Sequence, residues 1–332
     1  MKRTGNLFDQ IATIENFRLA YYQAAKGKRD RREVISLSEC LDRRLEEIVM
    51  ELDNGKFPFG RFSQFMIRDP KIRIITAPFF EERVVHHAIM NVCLPNFERW
   101  LIEDTYACRT GKGREKALKR ALQFSGSSPW CLKLDIKSYF DSVNHDLLIR
   151  FLGRRFKDLR LMQLLKQIIQ SFRGQSGIGL PIGSLMSQHF ANFYLGFFDR
   201  FIKETLRVEG YVRYMDDMLI WSNSKSELIT ILQESQCFVN ETLKLKFKQS
   251  TPLAMKYGIN FLGCKIFPTH LELNQRSKRR WKRRVNLLEK AEKLGLINEL
   301  ELQKRLNSLT AFAKSAGIKS WRFRNSTLKY SR

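Results

Sequence analysis

The amino-acid sequence predicts an α/β protein of the α+β kind, in which helices and short antiparallel strands share a core. Three observations predict it. Residues 7–53 carry apolar positions at helical spacing. Residues 57–79 are rich in aromatic and β-branched residues broken by turn formers. Residues 210–222 hold two apolar runs around an acidic pair, the pattern of a hairpin.

The elements follow in order. FRLAYYQAAKGKR and SLSECLDRRLEEIVMEL read as helices, the second with Ser36 or Ser38 as its N-cap. Phe57, Phe59, Phe62, Phe65, Ile67, Ile72, Ile74 and Ile75, interrupted by Pro58, Gly60 and the Asp69-Pro70 turn, read as short strands. RVVHHAIMNVCLPNFERWLI (83–102) returns to a buried helix. Leu132 to Ile136 is a strand-type run that reaches Asp135 and then passes into a helix. Beyond the 210–222 hairpin, RSKRRWKRR (276–284) opens a segment with apolar positions at Val285, Leu287, Leu288, Leu294, Ile297, Leu300, Leu302 and Leu306. That spacing fits two or three amphipathic helices with a basic face. No internal repeat appears, which argues against a solenoid.

Hydrophobic residues at 43% and charged residues at 28% of 332 exclude a disordered or fibrous chain and suit two or three sub-domains. The 59 Lys and Arg exceed the 34 Asp and Glu by 25, which points to a polyanionic partner, with an anionic membrane surface as the rival explanation. The excess is uneven: residues 275–332 carry a net of +13, the rest +12. No window of about 18 uncharged apolar residues exists, so no transmembrane helix is expected, and the N-terminus lacks the apolar stretch of a secretory signal. Cys40, Cys93, Cys108, Cys131, Cys237 and Cys264 form no close pair and read as reduced thiols of a cytoplasmic protein. His86 and His87 are adjacent and His145, His189 and His270 isolated, so no zinc-ligand spacing appears.

Chemistry concentrates in the acids. A carboxylate at the end of a buried strand is costly unless compensated, and a divalent cation is the common compensation. Asp216 and Asp217 lie between apolar runs that include Tyr214, Met215, Met218 and Trp221, where adjacent carboxylates repel each other. A pair of Mg²⁺ ions held by Asp135 and Asp216, with Asp217 beside them, resolves the repulsion and supplies the clamp for in-line nucleotidyl transfer.

YMDD at 214–217, preceded by LKLDIKSYFDSVNH (132–145), resembles motifs C and A of reverse transcriptase palm domains. KIRIITAPFFEERVVHHAI (71–89) and DTYACRTGKGREKAL (104–118) resemble the two fingers motifs. GLPIGSLMSQHFANFYL (179–195), LKLKFK (243–248) and FLGC (261–264) resemble the block after the first catalytic Asp, the start of motif D and the primer grip. The resemblance covers roughly residues 7–270 and implies a right-hand polymerase. A helical extension occupies 1–56, fingers 57–125, palm 126–270 with a fingers portion around 150–185, and a basic helical thumb 271–332. Most relatives carry Gln before the Gly of the LP-x-G block and Pro after its Ser; here Ile182 and Gln188 stand in those places. That departure resembles the reverse transcriptases of diversity-generating retroelements, which copy a template-repeat RNA into cDNA with errors at template adenines.

The resemblance also implies residue roles. Asp135, Asp216 and Asp217 are the catalytic carboxylates and, with Ile136, the metal set for two Mg²⁺ that Mn²⁺ can replace. Lys71 and Arg73 are candidates for the dNTP triphosphate, Phe140 for the gate against a ribose 2′-hydroxyl, and Ile182, Gly183 and Gln188 for the rest of the nucleotide contact. Tyr139 beside the gate reads as a core aromatic. Arg109, with Gly111 and Gly113, is a candidate for template phosphates, and Gly263 for the primer grip. Lys278, Arg279, Arg280, Lys282, Arg283 and Arg284 are candidates for the template–primer duplex. Lys244, Lys246 and Lys248 stay equal candidates for a general acid to pyrophosphate, and His189 reads as structural. The implied partners are template RNA, cDNA or primer, dNTPs and a small basic oligomeric accessory protein, in the cytoplasm of a bacterium or encoded by a phage. Rival readings are a retron or group II intron enzyme and a catalytically silent basic RNA-binding scaffold.

Overall fold

A computed structural model describes residues 3–68, 72–172 and 177–314. Its elements run α1 (Phe8–Ile11), α2 (Ile14–Ala25), α3 (Arg32–Glu39), α4 (Leu41–Asp53), β1 (Phe62–Arg68), β2 (Ile72–Pro78), α5 (Phe80–Trp100), α6 (Arg114–Ser127) and β3 (Trp130–Asp135). There follow α7 (Tyr139–Ser142), α8 (His145–Gly153), α9 (Leu159–Ser171), α10 (Leu185–Arg200), β4 (Gly210–Tyr214), β5 (Asp217–Ser222) and α11 (Lys225–Glu241). The last are β6 (Leu253–Ala254), β7 (Ile259–Phe261), β8 (Cys264–Ile266), β9 (Leu271–Leu273), α12 (Gln275–Lys293) and α13 (Glu299–Lys314). The helix and strand mixture is the α/β class that the periodicity predicts. Two compact units interleave in sequence: 1–102, 136–201 and 236–248 in the first; 103–135, 202–235 and 249–332 in the second.

In the first unit α5 is buried or half-buried at every position but Pro95 and Arg99 and packs on α2 and α10. Gly196 allows the closest approach: a Cβ there would meet Trp100 Nε1 at 2.5 Å, and that indole nitrogen donates to the Phe193 carbonyl at 3.3 Å. The Asp158 side chain caps α9 at Leu161 N and also accepts from Leu7 N and Phe8 N at the entry to α1. The expected cap at Ser36 or Ser38 is corrected: both serines sit inside α3, which begins at Arg32 and buries Val34 and Leu37, while α4 starts after Cys40. The Ser38 hydroxyl bonds back to the Ile35 carbonyl at 2.6 Å, the behaviour of a serine within a helix.

β1 and β2 pair antiparallel from Phe62↔Pro78 to Arg68↔Ile72. Thr76 and Pro78 are buried at the root, whereas Phe65, Met66, Ile67, Ile72 and Ile74 are exposed along the ribbon. The Asp69-Pro70 turn and Lys71 lie outside the described residues.

The second unit holds an antiparallel sheet of order β4-β5-β3-β6 and a smaller β7-β8-β9 sheet. α6 covers the first through Leu118 and Ala121 against Val212, Leu219 and Cys131, and the same apolar cluster runs on to Phe261, Cys264 and Leu273. The basic tail forms the two helices α12 and α13, with Val285 and Leu302 buried. Leu287, Leu294 and Leu300 are exposed, so the expected apolar stripe is only partly covered among the described residues.

Gly196→Ala should cost about 1–3 kcal/mol by forcing α10 off Trp100. The check is a urea titration, in which the midpoint falls with the slope unchanged.

Candidate active site

Strand register assembles the acids in the second unit. Asp135 ends β3, Asp217 begins β5, and the two are directly paired across the ladder. Tyr214↔Asp217 closes the β4-β5 hairpin, leaving Met215 and Asp216 as the two turn residues. Met215 adopts φ 55°, a value that favours glycine. Arg213 holds it there: this fully buried side chain donates from Nη1 to the Met215 carbonyl at 3.0 Å.

Lys133 precedes Asp135 by two residues and so projects from the same face of β3. Its Nζ lies 2.8 Å from Asp217 Oδ1 and also donates to the Asn260 carbonyl at 2.8 Å. The contact with Asp217 is an ion pair without hydrogen-bond alignment, since that buried Oδ1 has no aligned donor among the described residues. Burial pushes the Asp217 carboxyl up to about 6; Lys133 opposes the rise, and Asp135 and Asp216 add to it.

These residues form a donor set of carboxylate oxygens, with one buried oxygen unaligned, and that chemistry fits a hard divalent cation such as Mg²⁺ or Mn²⁺. Among the described residues no three His, Cys, Asp or Glu side chains already converge as a cage. Asp135 and Asp216 are half-buried.

The loop ahead of α6 lies along the free edge of β4. Arg213 N donates to the Asp104 carbonyl at 2.9 Å, and Tyr106 N donates to the Arg213 carbonyl at 3.0 Å. Arg109 is half-buried, with Nη1 on the Thr105 carbonyl at 3.0 Å. Gly111 and Gly113 have φ 70° and 106°, with nothing near the place of a Cβ. Arg114 Nε donates to the Leu262 carbonyl at 3.0 Å, securing the β7-β8 turn in which Leu262 and Gly263 both have positive φ. Lys278, Arg279, Arg280, Lys282, Arg283 and Arg284 are exposed on α12, and Lys278 pairs with Glu272 at 2.9 Å.

The first unit gathers a second set. Arg73 is exposed on β2, and Thr76 N on the same strand donates to the Ile182 carbonyl at 2.7 Å. Gly183, at φ 122°, lies so close to β2 that a Cβ would meet Ile75 Cγ2 at 2.6 Å. Gln188 is exposed in the first turn of α10. Phe140 is half-buried on α7, while Tyr139 is buried and donates to the Ala191 carbonyl at 2.5 Å. Ile136 is fully buried and bridges Phe247. Lys244, Lys246 and Lys248 are all exposed, and the Lys246 carbonyl accepts from Lys137 N at 2.8 Å. His189 lies against Phe97, and burial lowers its pKa to about 4.

Sequence reasoning missed Lys133, Arg213 and Arg114. Lys133 had a signal, since it shares the face of Asp135 at the two-residue strand period. Arg213 had none, because a lone cation in a strand reads as solvent-facing.

A family model described as reverse transcriptase (RNA-dependent DNA polymerase) matches residues 25–266. The chain is 30% identical over 166 residues to protein YkfC of Escherichia coli (strain K12), covering 46% of this chain and 42% of that protein. It is 23% identical over 170 residues to the group II intron-encoded protein LtrA of Lactococcus lactis subsp. cremoris, covering 48% and 28%. It is 28% identical over 171 residues to nuclear intron maturase 4, mitochondrial, of Arabidopsis thaliana, covering 49% and 21%. The chain thus spans less than half the length of these relatives. Its fold is similar to apo telomerase from Candida tropicalis, with TM-score 0.53, 10% identity, and coverage of 88% of this chain and 66% of that one. Among the described residues no helix is long and apolar enough to cross a membrane.

The raised Asp217 pKa sets a sign for stability. Its ordinary value is 3.8 and its folded value about 6, so above pH 6 the ionised carboxylate burdens the fold, and the burden fades as pH falls toward 4. Asp217→Asn, measured without divalent ions, should therefore melt higher than the parent at pH 8 by the equivalent of about 1–3 kcal/mol. The gap should close by pH 4–5 in a pH series of thermal melts.

Proposed function

Because this chain belongs to the reverse transcriptase (RNA-dependent DNA polymerase) family, we propose that it extends a primer by copying RNA into DNA. The observation that carries the reading is the strand register that pairs Asp135 with Asp217 across β3 and β5 and leaves Asp216 in the adjoining turn. In nucleotidyl transfer the primer 3′-oxygen attacks the α-phosphorus, and the bond to the bridging oxygen of pyrophosphate breaks. Bound Mg²⁺ ions would activate the attacking oxygen and offset charge on the phosphates. Asp135, Asp216 and Asp217 would hold them, beside the Ile136 backbone. Arg73 supplies a planar fork for the triphosphate, and Phe140 crowds the position of a ribose 2′-hydroxyl. Gln188 and Gly183 complete the nucleotide contact, Arg109 and Gly263 the template and primer contacts. In this reading β1-β2 belongs to the fingers, the four-stranded sheet to the palm and α12-α13 to the thumb, whose cations track the duplex phosphates.

Within the family we favour an enzyme of a diversity-generating retroelement, on the strength of Ile182 and Gln188 in place of Gln and Pro. That reading brings the accessory protein with it. The second reading is a group II intron enzyme, favoured by the relatives LtrA and intron maturase 4. A cDNA error spectrum separates them: errors concentrated at template adenines support the first, evenly spread errors the second.

Asp135→Asn or Asp216→Asn should abolish primer extension on an RNA template with Mg²⁺ while RNA binding stays nearly intact, because affinity comes mainly from Lys and Arg. Retained extension would sink the polymerase assignment in favour of a basic RNA-binding scaffold.

Ile182→Gln restores a side chain able to hydrogen-bond the incoming sugar, a contact worth about 1–1.5 kcal/mol, or roughly tenfold in rate. We expect efficiency for the correct dNTP to rise and misincorporation opposite template adenine to fall. Single-nucleotide insertion kinetics on templates differing only in the templating base would test this, and an unchanged wrong-to-right ratio makes Ile182 a packing residue.

A further inference from the structure

Three polar side chains with no part in the site above lie buried together in the first unit. Glu82, His86 and Ser184 are 3%, 1% and 2% exposed, too covered for bulk water to satisfy them. Glu82 and His86 are one turn apart on α5. Glu82 Oε2 accepts from Gly60 N at 3.0 Å, and Arg61 N also donates to this carboxyl. Glu82 Oε1 lies 3.6 Å from His86 Nε2, and His86 Nδ1 lies 3.5 Å from Ser184 Oγ. Among the described residues His86 Nε2 has no hydrogen-bond partner, a costly omission at such depth.

Both ends of this chain of atoms reach the root of the β1-β2 hairpin. Gly60 and Arg61 lead into β1. Ser184 follows Ile182 and Gly183, which hold β2 through the Thr76 N bond and the close approach to Ile75. Two ties hold the hairpin root, one at the entry to β1 and one on β2, and Glu82 and His86 of α5 lie between the first tie and Ser184.

We propose that Glu82, His86 and Ser184 form a neutral hydrogen-bonded relay that positions the Arg73-bearing hairpin against the Ile182-Gly183 loop, and so sets affinity for the incoming dNTP. The proposal rests on the polymerase reading above. Glu82 carries the proton: its O–H donates to His86 Nε2 after a small closure of the 3.6 Å gap, and its other oxygen keeps the Gly60 and Arg61 amides. His86 is uncharged and donates from Nδ1 to Ser184 Oγ. Burial favours both states, lifting the Glu82 carboxyl to about 7 and lowering His86 to about 3, with His87 adding to the second shift. The three are positioning residues, because none touches a reacting atom.

A neutral relay makes a specific demand on substitutions. Gln at position 82 reproduces a protonated carboxyl, accepting through its carbonyl and donating through its amide; Met fills the volume and does neither. We expect Glu82→Gln to keep dNTP KM and kcat within about twofold of the parent, and Glu82→Met to raise KM about tenfold with kcat changed far less. Ser184→Ala, a smaller perturbation, should raise KM in the same direction. Hydrogen exchange supplies the arm that does not need activity: the amides of Gly60, Arg61 and Thr76 should exchange faster in Glu82→Met than in Glu82→Gln, with those of α9 unchanged. Equal damage from Gln and Met, unchanged KM in both Met and Ala variants, or faster exchange throughout the unit would each overturn the relay. If the parent extends no primer, the polymerase reading fails, and the exchange comparison still decides whether the relay holds the hairpin root.

Discussion

Two carboxylates paired at strand ends and a third in the adjoining turn are the constraint on which the second unit is organised. Adjacent acids at a turn repel each other, a third acid across the register adds to the repulsion, and partial burial raises the cost of each charge. The fold answers with cations at fixed distances. Lys133 reaches Asp217 because side chains two apart on a strand share a face. Arg213, fully buried on the strand before the turn, fastens the Met215 carbonyl. Without that clamp a methionine at positive φ has reason to relax, and relaxation would move Asp216 and Asp217 apart.

Arg213 also ties β4 to the loop ahead of α6. Its backbone pairs on one side with β5 and on the other with residues 104 and 106, so the loop carrying Arg109, Gly111 and Gly113 is held at the sheet edge. The same loop delivers Arg114 to the Leu262 carbonyl, at a second turn whose first residue, Leu262, is a non-glycine at positive φ. Two strained turns in one unit are thus each stabilised by an arginine that bonds the carbonyl of the strained residue. Guanidinium groups suit the task because they offer several donors in a plane and stay charged when buried.

The strands and the acids were legible in the sequence because both signals are local. β3 and β5 announce themselves by apolar runs bounded by aspartates, whereas the turn was read one residue late: Met215 and Asp216 form it, and Asp217 already pairs in β5. The cap at Ser36 or Ser38 was misread because a serine before an apolar run looks the same whether it starts a helix or sits within one; Val34 and Leu37 decide it by being buried. The exposure of Leu287 and Leu300 was illegible for the opposite reason, since spacing reports which residues can share a face and not whether anything covers that face. Lys133 and Arg213 depend on register between distant segments. Glu82 reads from sequence as an acid favouring a helix N-terminus, and its burial behind the hairpin root is a tertiary fact.

The half-buried Asp217 and the buried Glu82 separate two uses of a carboxyl group. Both are pushed up by burial. Asp217 has Lys133 within ion-pair distance, so the fold supplies a counter-charge to favour the ionised state, which is the state that can bind a cation. Glu82 is offered two backbone amides and a histidine that burial keeps neutral, an arrangement that can use a donor and an acceptor from one group. The lysine at ion-pair distance from Asp217, against the backbone amides that Glu82 accepts, is therefore the physical distinction. An amide can replace a carboxyl that serves by hydrogen bonding, but it cannot replace one that serves by its charge.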